Sequence, residues 1–128
     1  MSELSPKHPA HRKQPGDQGE ELARRHIETL GFRIHRTNFR SPRGEIDIIA
    51  WDGTTLVFVE VRSKTDVDHG TPFETLGPQK IRRVVAAAND FLETLAPPWP
   101  PMRFDAVGVC FSDPPSLELI RGAFEARG

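Results

Sequence analysis

A chain of 128 residues fits one domain, since domains run to roughly 100–200 residues, and it is too short for two independent cores. Hydrophobic residues make up 37% and charged residues 27%, an ordinary globular mix, and no apolar run approaches the ~20 residues that a membrane helix needs. The net charge of −1 argues against a protein that coats nucleic acid non-specifically. The charge is unevenly spread, however. The first 44 residues carry nine Lys or Arg against five Asp or Glu, and the remainder eight against thirteen. A basic N-terminal third beside an acidic remainder can meet phosphate with one side only, or simply be solvated. One cysteine, Cys110, excludes an internal disulfide and fits a reducing compartment. Met1 to Gln14 is polar and lacks the apolar stretch of a signal peptide, so a cytoplasmic location is expected.

Residues 1–15 read as a disordered polar tail, rich in Pro, Lys, Arg and His, and 16–128 as a single domain. From Asp17 to Leu30, Leu22, Ala23, Ile27 and Leu30 recur at helical spacing, and Gly31 ends the run. Phe32 to Phe39 alternates and predicts a strand; Ser41-Pro42-Arg43-Gly44 predicts a turn. Two further strands, Glu45 to Trp51 and Thr54 to Lys64, are joined by the hairpin signal Asp52-Gly53. Thr65 to Leu76 reads as a loop. A second helix starts at Gly77-Pro78, with proline at the first helical position, and carries Ile81, Val84, Val85, Ala88, Leu92 and Leu95 as an apolar stripe. The proline-rich stretch 96–101 stops it. Met102 to Phe111 and Leu117 to Phe124 complete the order αβββαββ, which predicts an α/β fold: a central mixed sheet flanked by helices.

Three carboxylates stand out in this pattern. Alternation puts Glu45, Asp47, Ile49 and Trp51 on one face of their strand, and Leu56, Phe58, Glu60, Arg62 and Lys64 on one face of the next. Asp47 and Glu60 thus sit among large apolar neighbours on hairpin partners. Glu20, three residues before Ala23 and seven before Ile27, extends the apolar stripe of the first helix. Carboxylates at the edge of a core are costly unless something positive compensates them. A hard cation such as Mg²⁺ does so, taking carboxylate oxygens while keeping waters for a phosphate and a nucleophile. Such an ion activates water and polarises a phosphoryl oxygen. Arg62, two residues after Glu60, has the spacing to stabilise developing charge. Taken singly, each residue has a plainer role: Glu60-Val61-Arg62 as a common strand tripeptide, Asp47 as an arginine's partner, Glu20 as a favourable charge at a helix start.

The motifs Gly16-x-x-Gly19-Glu20-x-x-Ala23, Gly31-Phe32, Asn38-x-Arg40, Gly44-Glu45-Ile46-Asp47-Ile48-Ile49-Ala50 and Val57-Phe58-Val59-Glu60-Val61-Arg62 closely resemble the YraN-like family of bacterial proteins. The match continues through Gly70, Lys80, Ala86-Ala87-Ala88, Arg103-Phe104-Asp105 and Ala123-Phe124, and covers roughly residues 16–124. That family's motifs look like those of the restriction-endonuclease-like superfamily, with its D…(D/E)-x-K signature, and most like archaeal Holliday-junction resolvases. The resemblance implies a restriction-endonuclease-like fold, Glu20, Asp47 and Glu60 as ligands of Mg²⁺ or Mn²⁺, and Arg62 in the position of the signature lysine. Arginine there stays charged and cannot act as a base, though it still stabilises charge. Lys64, on the same face, either supplies the amine instead or is an edge-strand charge.

Arg36, Arg40 and Arg43 flank the carboxylates in sequence and are candidates to hold a nucleic-acid backbone. Lys80 either reaches phosphate or is a solvated helix-start lysine. Cys110 reads as core, and Trp51 and Trp99 as packing. The expected function is metal-dependent phosphodiester hydrolysis on nucleic acid, DNA foremost, including branched or repair-related DNA. The alternative is a weak or inactive nucleic-acid-binding module on the same fold. A structural partner protein using the connector 96–101 has only composition behind it. The resolvase-like resemblance also suggests a homodimer; no membrane partner is expected.

Overall fold

The computed structural model describes residues 15–64 and 72–126. The expected tail 1–15 therefore lies almost wholly outside the described residues, as does the first part of the loop expected over Thr65 to Leu76. In chain order the elements are α1 (Pro15–Thr29), β1 (Arg33–Ser41), β2 (Gly44–Asp52), β3 (Thr55–Lys64), α2 (Pro78–Leu92), β4 (Met102–Cys110) and β5 (Ser116–Phe124). A short 3₁₀ turn, Pro72–Thr75, precedes α2 in what the sequence suggested was plain loop. The expected order αβββαββ is the one observed.

The strands form one five-stranded sheet in the order β1-β2-β3-β4-β5. Neighbours are antiparallel except β3 and β4, which run parallel from Leu56↔Met102 to Lys64↔Cys110. A parallel pair needs a long crossover, and α2 with its connectors supplies it. The helices lie on opposite faces. Ala23 and Ile27 of α1 pack with Ile48, Ala50, Val57, Val59, Val61, Val107 and Val109. Val84, Ala87, Ala88, Phe91 and Leu92 of α2 pack on the other face with Phe39, Ile46, Ile49, Leu56, Phe58 and Phe104. β3 is therefore covered on both sides, which is why Leu56 to Val61 are all buried and read as one apolar run interrupted by Glu60. No helix among the described residues is long and apolar enough to cross a membrane.

Local chemistry accounts for the joints. α1 ends in a Schellman motif: the Gly31 N–H donates to the Glu28 carbonyl and the Phe32 N–H to the Ile27 carbonyl, both at 3.0 Å. Gly31 takes a φ of 99° there, and Phe32 turns inward onto the same core as Ile27. Gly53, with a φ of 62°, takes the first central position of the β2–β3 turn, between Asp52 and its partner Thr55.

Two expectations need correction. β1 does not alternate throughout: its register on β2 slips between Ile34 and Arg36, and Asn38 has a φ of 55°. Ile34 thus pairs with Ala50 of the α1 face but Arg36 with Ile49 of the α2 face, whereas Ile34 and Phe39, five residues apart, lie on opposite faces as alternation itself requires. The second helix ends at Leu92 rather than at Leu95. Beyond it the chain tightens into i→i−3 bonds, from Thr94 N–H to Phe91 O and Leu95 N–H to Leu92 O, before the prolines.

Candidate functional site

β2 and β3 part company at Asp47 and Glu60. Backbone pairing runs from Asp52↔Thr55 to Ile48↔Val59 and stops there. Beyond that point side chains take over the ladder. The Asp47 N–H donates to Glu60 Oε2 at 3.3 Å, and the Val61 N–H donates to Asp47 Oδ2 at 2.8 Å. Each carboxylate thus satisfies a backbone donor that the opposite strand no longer accepts from. Ile46, just before the break, falls on the α2 face, whereas Ile48 falls on the α1 face, so strict alternation fails at this step.

Glu60 is completely buried; Asp47 is half-buried. Burial, and then the negative charge of Asp47, push the Glu60 carboxyl up to about 8, against the opposing Lys80 ammonium and the Asp47 N–H. The Asp47 carboxyl is raised too, chiefly by burial, against the Val61 N–H bond, Lys80 and Arg62. The pair therefore titrates as a unit that disfavours two negative charges at neutral pH. Glu60 Oε1 has no hydrogen bond although it is shut off from solvent. Lys80 Nζ lies 3.4 Å from this oxygen, near enough for an ion pair but not oriented as a hydrogen-bond donor. Lys80 is partly exposed, so Asp47 and Lys80 form the mouth of the site and Glu60 its floor.

These features fit a divalent cation. An unbonded buried carboxylate oxygen, beside a second carboxylate that also resists ionising alone, is a donor set that a hard cation satisfies. Mg²⁺ binds through one or two carboxylates and keeps several waters, a donor number that the Asp47–Glu60 pair matches.

The structure brings Asp47, Glu60 and Lys80 together, with Arg62 near enough to act on Asp47. It does not assemble the expected three-carboxylate cluster. Among the described residues, no three His, Cys, Asp or Glu side chains are gathered so as to hold a metal ion. The reason is topological: α1 packs on the Val57, Val59 and Val61 face of β3, whereas Glu60 points to the α2 face. Glu20 is half-buried in α1, beside Gly19, where a Cβ would run into the Ser63 hydroxyl. Its helix covers the face of β3 opposite to the one that Glu60 joins.

The cations proposed from sequence have distinct settings. Arg62 donates from Nε to Thr75 Oγ1 at 2.8 Å, tying β3 to the 3₁₀ turn. Arg43 is bound to Asp90, at 2.6 Å, and to the Ala86 carbonyl, latching the β1–β2 turn onto α2. Arg40 pairs with Glu45 at 3.4 Å, and Arg36 lies 5.0 Å over the Phe39 ring; both are exposed on the edge strand β1. Lys64 ends β3, its carbonyl accepting from the Phe111 N–H.

A second buried ionic group escaped the sequence reading. Asp105 on β4 is fully buried and accepts two hydrogen bonds from Arg103, at 2.8 and 2.9 Å, and one from the Gly122 N–H at 3.0 Å. Arg103 also donates to Asp52 at 2.8 Å. The only signal was the spacing Arg103-x-Asp105, which puts both on one strand face. This group ties β2, β4 and β5 together and is structural.

Comparison with known proteins agrees with the resemblance in the motifs. The profile described as "Uncharacterised protein family UPF0102" matches residues 19–109, which span Glu20, Asp47, Glu60 and Lys80. A UPF0102 protein of Anaeromyxobacter dehalogenans is 46% identical over 114 residues, covering 88% of this chain and 85% of the relative. One from Dehalococcoides mccartyi is 42% identical over 113 residues, covering 88% and 93%. Another from Desulfosudis oleivorans is 43% identical over 115 residues, covering 90% and 93%. With its carboxylate strands, α2 and most of α1 inside the matched span, the chain belongs to the UPF0102, or YraN-like, family.

Proposed function

We propose that this protein is a divalent-metal-dependent phosphodiesterase of nucleic acid, with a restriction-endonuclease-like arrangement of its sheet and site. The observation that carries the reading is the Asp47–Glu60 pair, set where β2 and β3 separate, with one buried oxygen left without a hydrogen bond. Two neutral amides or hydroxyls could accept the same backbone bonds without the mutual repulsion of two carboxylates that resist ionising next to each other. A site that must hold a cation against phosphate gains from the carboxylates.

In hydrolysis a water oxygen attacks phosphorus, the bond to one sugar oxygen breaks, and a phosphate monoester and a hydroxyl result. Mg²⁺ or Mn²⁺, when bound, would lower the pKa of that water and offset charge on the phosphoryl oxygens. Asp47 and Glu60 would hold the ion, and the backbone N–H groups of Val61 and Asp47 hold the two carboxylates. In this reading Asp47, at the mouth of the site, would accept a proton from the attacking water as the P–O bond forms. The exposed Arg36 and Arg40 on β1 are suited to contact phosphates of the flanking backbone. A cytoplasmic enzyme acting on DNA fits this chemistry and the lone Cys110.

A second reading, a nucleic-acid-binding module without turnover, rests on Arg62 in the place of the signature lysine. A cleavage panel on the purified protein separates the two, with duplex, single-stranded and branched DNA and RNA, in Mg²⁺ or Mn²⁺. Cleavage that chelation abolishes supports the first reading. Retardation of nucleic acid on a gel without cleavage supports the second, and neither result leaves neither standing. Light scattering on the same sample reads whether the protein is the homodimer that the resolvase-like resemblance implies.

A further inference from the structure

We infer that Lys80 on α2, and not Arg62 on β3, supplies the positive charge at the reacting phosphate; the inference rests on the phosphodiesterase reading above.

Sequence spacing favoured Arg62, because alternation places it on the face of Glu60. The side chain is drawn away from that role. Its Nε donates to Thr75 Oγ1, and the Thr75 hydroxyl in turn donates to the Pro72 carbonyl at 3.2 Å. Arg62 thereby clamps the turn that leads directly into α2. Lys80 arrives from that helix and stops 3.4 Å from the buried Glu60 oxygen. It stays partly open to solvent, as a group that must also touch substrate has to be.

The position of Lys80 in its helix makes the same point from another direction. Gly77 is the N-cap and offers no side-chain bond, Pro78 follows it, and no acidic residue stands in the first turn. Lys80 is the third helical residue, at the positive end of the helix dipole, where a cation is unfavourable. Glu or Gln at this position would favour the helix. Helix stability therefore does not explain a lysine here, whereas its reach to the carboxylate pair does.

An anionic phosphate bound through a metal on Asp47 and Glu60 would meet the Lys80 ammonium at the mouth of the site. Lys80 then exchanges part of its ion pair with Glu60 for one with the phosphate, and its charge is brought to bear where negative charge builds up. Arg62 is a positioning residue in this arrangement, acting through Thr75 on the start of α2.

Two measurements on the full chain test the assignment. In cleavage assays, Lys80→Ala is expected to lower kcat by about 10²–10³ while Mn²⁺ affinity by calorimetry stays near that of the parent. Lys80→Arg should restore part of the rate, and Arg62→Ala should cost less than Lys80→Ala. Arg62→Ala proving the more damaging change, or Lys80→Ala cleaving like the parent, overturns the assignment. The second measurement does not depend on turnover or on a variant that folds. Side-chain NMR signals of Lys Nζ and Arg Nε are followed as a short phosphorothioate oligonucleotide is added with Mg²⁺. Saturable movement of the Lys80 signal, with Arg62 still bonded to Thr75, supports the inference even if the parent cleaves nothing, in which case only the nuclease reading falls. Movement of Arg62 alone, or of neither signal, overturns it.

Discussion

Asp47 and Glu60 each complete the hydrogen bonding of the other's surroundings: Glu60 accepts from the Asp47 N–H, and Asp47 accepts from the N–H of Val61, the residue after Glu60. The two strands separate at this point without leaving those donors unpaired. What is left over is negative charge in a buried place, and most of the chemistry argued for this protein follows from that surplus.

The surplus has a signature in pH. The folded-state pKa of Glu60, about 8, lies above its ordinary value of 4.5. A group raised in this way contributes stability that is fully present below 4.5 and is lost as pH rises through about 8. Asp47, raised as well, adds with the same sign. Thermal melts of the metal-free protein should therefore fall over that window, and Glu60→Gln should remove most of the fall. A parent and a variant with parallel pH profiles would show that Glu60 ionises freely in the fold.

Divalent metal should reverse the loss. At pH 8, Mn²⁺ or Mg²⁺ is expected to raise the melting temperature of the parent, by mass action on the folded state alone. Calorimetry should find Asp47→Ala and Glu60→Ala weakened by more than about 10-fold, the lower end of what loss of even an outer metal partner costs. Glu20→Ala, on the helix across the sheet, should cost less than either. If Glu20→Ala is the most damaging of the three, the ligand set centres on α1 and the pair has been misread.

Nucleic-acid binding should depend on the edge strand. Arg36→Ala and Arg40→Ala are each expected to weaken retardation and to reduce the slope of log K against log salt by about one unit per lost phosphate contact. Arg43→Ala should act mainly on stability, since Arg43 is spent on Asp90 and the Ala86 carbonyl. A salt slope that is unchanged in the Arg36 and Arg40 variants moves the contact surface off β1.

Gly44 joins the fold to the site. Any side chain there would collide with the Arg83 carbonyl of α2. Gly44→Ala should destabilise by about 1–3 kcal/mol, as overpacking does, and should shift the helix that carries Lys80. Urea denaturation gives the first effect, and a loss of cleavage larger than the unfolded fraction accounts for gives the second. A variant as stable as the parent would mean that α2 moves aside without strain.

Asp105 offers the contrasting case of a buried carboxylate with its partners supplied. Asp105→Ala leaves Arg103 and the Gly122 N–H short of an acceptor, and removing one partner of a buried pair typically costs about 3–5 kcal/mol. Equilibrium denaturation measures it. Metal affinity of whatever fraction stays folded should match the parent, because this network lies on the Phe32 face of the sheet whereas Glu60 faces α2.

Much of this protein was legible in its sequence because much of it is local. Hydrophobic period marked both helices and all five strands, Gly31 marked the Schellman turn, Asp52-Gly53 marked the hairpin, and a period of two placed Asp47 and Glu60 on matching faces of neighbouring strands. The motifs placed the chain in its family for the same reason, since they are short runs around those features. Tertiary structure decided the rest. Period alone does not say which side of a sheet a helix will cover, and α1, which carries Glu20, covers the face opposite to Glu60. Nor does period register a slipped residue: the shift at His35 sets Arg36 against Ile49, on the face opposite to Ile34 although the two are two residues apart. Lys80 is 20 residues from Glu60 along the chain, and only the crossover between the parallel strands β3 and β4 carries it to the buried oxygen. Spacing within one strand pointed to Arg62 for the cation beside the carboxylates; packing between elements brought Lys80 there, because charge compensation in a core is set by what lies near in space.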